Sequence, residues 1–330
     1  MKRYLLAAVA ALALASPALA AEIKPAIVFD LGGKFDKSFN EGVHNGALAF
    51  TKKTGIAVRD FEPQNSSQIE QAIRTFAKRG MDPILSVGFD QASAMTTVAK
   101  EFPKTHFAII DGVVDAPNVA SILFHEEQGS YLAGVLAAST AKDGKLGFIG
   151  GMDIPLIRRF ACGYVQGAKS VNPKIEVLEN MTGTTGAAWN DPVRGGELAK
   201  SQIERGASVI YAAAGATGLG VLQAASDAGK LGIGVDSNQN YLHPGHMLTS
   251  MLKRVDTATI DTFTAAKDGT FKPGITALGL KEDGVGLAFD AENAALVTPD
   301  AKARVMQAAA DIKSGKVMVH DYMADNACPM

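Results

Sequence analysis

Ala26-Ile27-Val28-Phe29-Asp30-Leu31-Gly32-Gly33-Lys34-Phe35-Asp36-Lys37-Ser38-Phe39-Asn40-Glu41 is the stretch that decides the fold. An apolar run too short for a helix stops at Asp30, and Gly32 and Gly33 permit the tight turn that follows. Ser38 and Glu41 have the S-x-x-E spacing of a capping box, which predicts that Ser38 caps a helix over residues 40–53. Phe39 and Asn40 then sit in its first turn, beside backbone N–H groups without helical partners. The unit is strand, turn, helix.

The unit repeats along the chain. Further short apolar runs predict strands near residues 56–59, 83–87, 106–110, 119–123, 145–149, 175–178, 208–212, 231–235 and 247–251. Amphipathic stretches between them predict helices near residues 67–78, 91–100, 129–141, 156–171, 193–205, 219–228 and 256–267. A Gly-rich segment over residues 275–289 reads as irregular strands, and a closing helix follows over residues 300–312. Helices alternating with short buried strands imply βαβ crossovers and parallel sheets, an α/β chain. A second series of units starts after Phe124, so the order predicts two lobes with strand ends facing a common cleft.

Those strand ends carry the polar and aromatic residues. Gly88, Phe89 and Asp90 follow the third strand, and Asp111 and Gly112 the fourth. The only Trp, Trp189, lies just before Asp191-Pro192, where Asp191 is expected as N-cap and Pro192 at the first helical position. Gly215 precedes Thr217, expected to cap the next helix, and Asp236 and Lys253 end two later strands. An aromatic from each lobe, Phe39 and Trp189, can sandwich a flat solute. Asp236 can accept from sugar hydroxyls and Lys253 can donate to them, while Asp111 and Asn40 can read polar edges.

The first twenty residues read as a secretory signal peptide: Lys2 and Arg3, an apolar run over residues 4–15, then Ala18-Leu19-Ala20. The residue after the cleavage site is Ala21 and the first Cys is Cys162, so the expectation is a free periplasmic protein without a lipid anchor. A formal charge of −2 without a basic block argues against nucleic acid as a partner. Cys162 and Cys328 are the two cysteines; in an oxidising compartment they can pair, or Cys162 can be buried and Cys328 loose. The six histidines are scattered, and no G-x-S-x-G, H-E-x-x-H or P-loop pattern occurs, so the reading is no enzyme, no metal and no cofactor.

Phe35-Asp36-Lys37-Ser38-Phe39-Asn40, Glu127-Gln128-Gly129-Ser130-Tyr131-Leu132-Ala133-Gly134, Gly150-Gly151-Met152, Trp189-Asn190-Asp191-Pro192, Gly234-Val235-Asp236 and Ser250-Met251-Leu252-Lys253 resemble, in order, the basic membrane protein family of substrate-binding proteins. That family includes purine nucleoside receptors of ABC importers. The resemblance implies a type I periplasmic-binding-protein fold, two Rossmann-like lobes joined by three hinge crossings. The expected division is residues 21–124 plus 237–253 in the first lobe and 125–236 plus 254–330 in the second. It further implies a monomer that delivers a nucleoside to an ABC permease in the inner membrane. The pocket it implies falls on Phe39, Asn40, Asp111, Trp189, Gly215, Asp236 and Lys253, with Asp36 and Phe89 beside them. Asn238 departs from the family pattern, which often has an acidic residue there. A sugar or another aromatic metabolite is the alternative solute, and a periplasmic nucleoside-processing enzyme the alternative class.

Overall fold

A computed structural model describes residues 23–141 and 144–329; the segment expected to be a signal peptide lies outside the described residues. Among them the strands are β1 (Ala26–Val28), β2 (Arg59–Phe61), β3 (Ile84–Val87), β4 (Phe107–Ile110), β5 (Val119–Phe124) and β6 (Lys145–Met152). They continue with β7 (Glu176–Gly183), β8 (Val209–Ala213), β9 (Leu231–Asp236), β10 (Met247–Lys253), β11 (Gly274–Leu278) and β12 (Val285–Leu287). The α-helices are α1 (Phe39–Thr54), α2 (Ile69–Lys78), α3 (Ala92–Glu101), α4 (Glu126–Thr140) and α5 (Pro155–Val171). The rest are α6 (Pro192–Glu204), α7 (Thr217–Asp227), α8 (Val255–Lys267) and α9 (Pro299–Lys313).

Two six-stranded sheets result, ordered β11-β5-β4-β3-β1-β2 and β12-β10-β9-β8-β6-β7. Every pairing in the first is parallel, and in the second only the β10–β12 pair is antiparallel. Helices cover the sheet faces, so inner strands such as β3, β4 and β8 are buried at every residue. α2 shows the matching helix pattern, burying Ile69, Ala72, Ile73 and Ala77 at spacings of three and four. The expected two-lobed α/β architecture is the one observed. β2 begins three residues later than expected, because Ile56 and Val58 turn into the core ahead of the edge strand.

The expected division of the chain needs correction. Residues 247–253 were assigned to the first lobe, yet β10 pairs with β9 and β12 in the second sheet. Residues 254–330 were assigned to the second lobe, yet β11 pairs with β5 in the first sheet. α8 packs on α1, with Phe50 and Phe263 edge to face at 5.5 Å. The chain therefore crosses between lobes at His125, at Arg254 and over residues 279–284. The crossings are hydrogen-bonded to each other, His125 N–H donating to Leu278 O at 3.0 Å and Arg254 N–H to Gly284 O at 2.8 Å. A strand's periodicity reports its conformation and leaves its sheet partner undetermined, which is why the sequence pattern misassigned both strands.

Cys162 and Cys328 form a disulfide that fastens the C-terminal segment to α5. Gln166 reinforces it, donating to His320 O at 3.0 Å and accepting from His320 N–H at 2.9 Å. Beneath, α4 and α5 touch backbone to backbone. A Cβ on Gly134 would stand 2.1 Å from Tyr164 O, and one on Gly167 1.9 Å from Tyr131 O. Only glycine permits that approach. Gly167→Ala is expected to force the helices apart and destabilise the protein by about 1–3 kcal/mol. Gly286→Ala, where nothing lies within 4 Å of the added carbon, is the control. Equal urea midpoints for the two variants would contradict this account.

Candidate functional site

The first turn of α1 is built by Asp36. Its buried carboxylate accepts from the backbone N–H groups of Ser38 (2.8 Å), Asn40 (3.0 Å) and Glu41 (3.0 Å), and from Asn40 Nδ2 (3.1 Å). Ser38 occupies the cap position but its side chain caps nothing. Its two oxygens together reach three backbone N–H groups where one hydroxyl reaches fewer, so the capping-box expectation is corrected in favour of Asp36. Ser38 Oγ is thereby free to cross the cleft, donating to Asp236 Oδ2 at 2.5 Å and Val235 O at 3.3 Å. Two more bonds join the same places: Ser237 Oγ donates to Ser38 O (2.8 Å) and Gln239 Nε2 to Lys37 O (3.0 Å).

Asn40 is fully engaged within the protein. Nδ2 donates to Asp30 Oδ1 (2.6 Å) and Asp36 Oδ2, and Oδ1 accepts from Asp30 N–H (3.2 Å). Its donors hold the two carboxylates in place. Asp111 and Asp236, at the ends of β4 and β9, have φ of 65° and 62°. That left-handed region is unfavourable for residues other than glycine and recurs at functional sites, where surrounding bonds enforce it.

Lys253, at the end of β10, is buried. Its Nζ lies 2.6 Å from Asp111 Oδ2 and 2.8 Å from Glu126 Oε1. The rings of Phe39, Phe124 and Phe160 surround it, with centroids at 5.1, 5.1 and 5.6 Å. Burial works against the charge, but the carboxylates of Asp111, Glu126 and Asp236 outweigh it and hold the ammonium above its ordinary pKa.

Trp189 enters from the other lobe. Its ring lies on Gly151, where an added Cβ would come within 2.1 Å of it. The residues on either side of Trp189 form a strap, Ala188 to Asp191, which Thr217 anchors by donating to Ala188 O (2.8 Å) and accepting from Asp191 N–H (2.7 Å). Thr217 thus begins α7 without capping it, contrary to expectation, because its hydroxyl is taken by this strap. Asp191 caps α6 as expected, accepting from Arg194 N–H at 3.0 Å.

All nine residues singled out from the sequence line one cavity between the lobes: Asp36, Phe39, Asn40, Phe89, Asp111, Trp189, Gly215, Asp236 and Lys253. It encloses about 710 Å³ of space free of atoms, mouth included. Asp30, Asp90, Leu156, Ile157 and Phe160 also line it and were not singled out. Asp30 and Asp90 carry the same strand-end signal as the others. Phe160 lies mid-helix in α5, where its pattern is that of any core residue. Asn238 lies outside this lining; its amide donates to Asp290 Oδ2 at 2.7 Å.

Among the described residues, five aspartates and one ammonium line the cavity. Burial pushes Asp30 and Asp236 up to about 7 and Asp111 up to about 6, against an ordinary 3.8. Asp36 and Asp90 are raised by burial as well. Asp111 Oδ1 is buried without a hydrogen-bond partner. Such a cleft offers acceptors to hydroxyl and amino donors between two half-buried aromatic faces. No Ser, Thr, Cys or His among the described residues is in its lining. Among the described residues, no group of three or more His, Cys, Asp or Glu could hold a metal ion, and no helix is long and apolar enough to cross a membrane.

Comparison with known proteins gives a consistent picture. The profile of the Bmp family, described as ABC transporter substrate-binding protein PnrA-like, matches residues 23–319. The chain is 35% identical over 321 residues to the ABC transporter nucleoside-binding protein BmpA of Lactococcus lactis subsp. cremoris, covering 90% of this chain and 89% of that one. It is 36% identical over 280 residues to an uncharacterized lipoprotein of Pyrococcus horikoshii, covering 80% and 68%. The crystal structure of an ABC transporter system solute-binding protein from Aeropyrum pernix K1 superposes with a TM-score of 0.83 at 28% identity, covering 91% and 93%. The periplasmic-binding-protein fold implied by the sequence resemblance is the fold found.

The raised carboxylate pKa values make the ligand-free protein sensitive to pH. A carboxylate with a higher pKa folded than unfolded binds more protons in the folded state between the two values. Its contribution to stability is therefore lost as pH rises from the ordinary carboxylate range to the folded value. The thermal midpoint is expected to fall as pH is raised from about 5 to about 7. Asp236→Asn is expected to flatten that slope in calorimetry. An unchanged slope would remove Asp236 as its source.

Proposed function

This chain belongs to the Bmp family of ABC transporter substrate-binding proteins, and from that premise we propose that its cleft captures a purine nucleoside of the guanosine, inosine or adenosine type. The observation that carries the reading is the pairing of Phe39 and Trp189, from opposite lobes, in one cavity with Asp111, Asp236 and Lys253. A base stacks on the aromatic faces. The ribose hydroxyls donate to Asp236 and to the unpartnered Asp111 Oδ1, and accept from Lys253. Asp30 and Asp90 face the other end of the solute and accept from its ring or amino N–H groups. Asn40 orients Asp30 and Asp36 and leaves the reading of the base to them.

Opening exposes the cleft and closure is favoured by the contacts that solute makes to both lobes at once. The three crossings at His125, Arg254 and residues 279–284 act as the hinge. The closed form docks, as a monomer, on a membrane permease that takes over the solute. Export by the N-terminal segment puts this cycle outside the cytoplasm. A purified mature chain of unmodified mass would support the unanchored periplasmic form, and a lipid-bearing one would exclude it.

Titration calorimetry with guanosine, inosine, adenosine, free bases, ribose and pyranoses tests the solute. A purine nucleoside is expected to bind and to raise the thermal midpoint by linkage. Phe39→Ala and Trp189→Ala are each expected to weaken it by about 1–3 kcal/mol. Binding confined to free sugars would sink the nucleoside reading. Release of free base during incubation would replace the receptor by an enzyme.

A further inference from the structure

Lys253 is held by a chain of charges that leads out of the cleft. Its partner Glu126 is fully buried at the first residue of α4, directly after the crossing at His125. The other oxygen of that carboxylate accepts from Arg159 Nη1 at 2.9 Å. Arg159 Nη1 also donates to Phe124 O at 2.8 Å, the carbonyl on the near side of the same crossing. Nε and Nη2 make a two-pronged pair with Asp321 at 2.7 and 2.6 Å. Asp321 belongs to neither sheet. It lies in the C-terminal segment fastened to α5 through Cys162–Cys328 and the Gln166–His320 bonds. Arg159, Cys162 and Gln166 succeed one another on a single face of α5, at spacings of three and four residues. Asp321 is itself oriented, accepting from Met323 N–H at 2.9 Å.

Each link is needed to satisfy the next. Without Asp321, two of the Arg159 donors lose their acceptor; Glu127 Oε2, 3.6 Å from Nε, draws the guanidinium toward itself, and its hold on Glu126 loosens. Glu126 then carries a buried charge paired to Lys253 alone, and Lys253 loses its fixed place between Asp111 and Glu126. We infer that Asp321 and Arg159 are positioning residues for Lys253, and that the disulfide-fastened C-terminal segment is a brace setting the affinity of the cleft from outside it. The inference rests on the reading that Lys253 meets the bound solute.

The test uses the full mature protein as Asp321→Asn, Asp321→Glu and the Cys162→Ser/Cys328→Ser double variant. Guanosine, inosine and adenosine affinities are measured by calorimetry, and hydrogen exchange of the ligand-free protein by mass spectrometry. Asp321→Asn and the double variant are expected to weaken nucleoside binding between about three- and thirty-fold. Asp321→Glu, which keeps the charge, is expected to restore it. Exchange is expected to rise over residues 124–132 and 247–254 and to stay unchanged over β8. Affinities equal to wild type in both weakened variants would overturn the brace. If wild-type protein bound no nucleoside, the proposed solute would fall while exchange still decided the brace. A local rise over residues 247–254 in Asp321→Asn would support it, and no rise would reject it.

Discussion

An ammonium without solvent organises this protein. Lys253 is buried where β4, β10 and the first chain crossing converge, and removing such a charge from water costs several kcal/mol. The cost is offset only if acceptors and ring faces are supplied from every side. The first lobe contributes Asp111, Phe124 and Phe39, and the second contributes Glu126 and Phe160. A charge that draws partners from both lobes ties the geometry of the crossing to that of the cleft.

The start of α1 makes a second tie. Because Asp36 takes the helix N–H groups, Ser38 reaches Asp236 across the gap, and Ser237 and Gln239 reach back to Ser38 and Lys37 just ahead of α1. Both ties lie at the carboxyl ends of parallel strands, where an α/β sheet leaves its crevice. The strained φ values of Asp111 and Asp236 occur at these two places, one in each lobe, where Ile122 O and Ser38 hold the backbone and side chain. The cavity is therefore acidic, aromatic on two sides, and supplied, among the described residues, with a single cation whose partners include groups outside it.

Much of this was legible in the chain. Short unbroken apolar runs and period-3.6 patterns marked nearly every strand and helix, because helices on both faces of a parallel sheet require buried apolar runs. The residues at the strand ends marked the cavity, since βαβ units repeat the same turn and direct those ends to one side. Phe39, Asp111, Trp189, Asp236 and Lys253 were found in this way, and they share one lining. The helix cap was misread because S-x-x-E spacing names a hydroxyl candidate and gives no warning that Asp36 is a stronger acceptor two residues earlier.

By itself, the sequence determined the α/β class, the two series of units, the polar strand ends and the family likeness, all of which depend on local periodicity or on motifs in order. Only the tertiary structure decided which sheet β10 and β11 join, that Cys162 pairs with Cys328, and that Glu126, Arg159 and Asp321 stand behind Lys253. Those three are far apart along the chain, and nothing in their neighbours announces an ion pair. Sheet partnership, disulfide pairing and buried charge chains are settled by which surfaces the folded chain brings within bonding distance, a property of three-dimensional packing that local pattern does not encode.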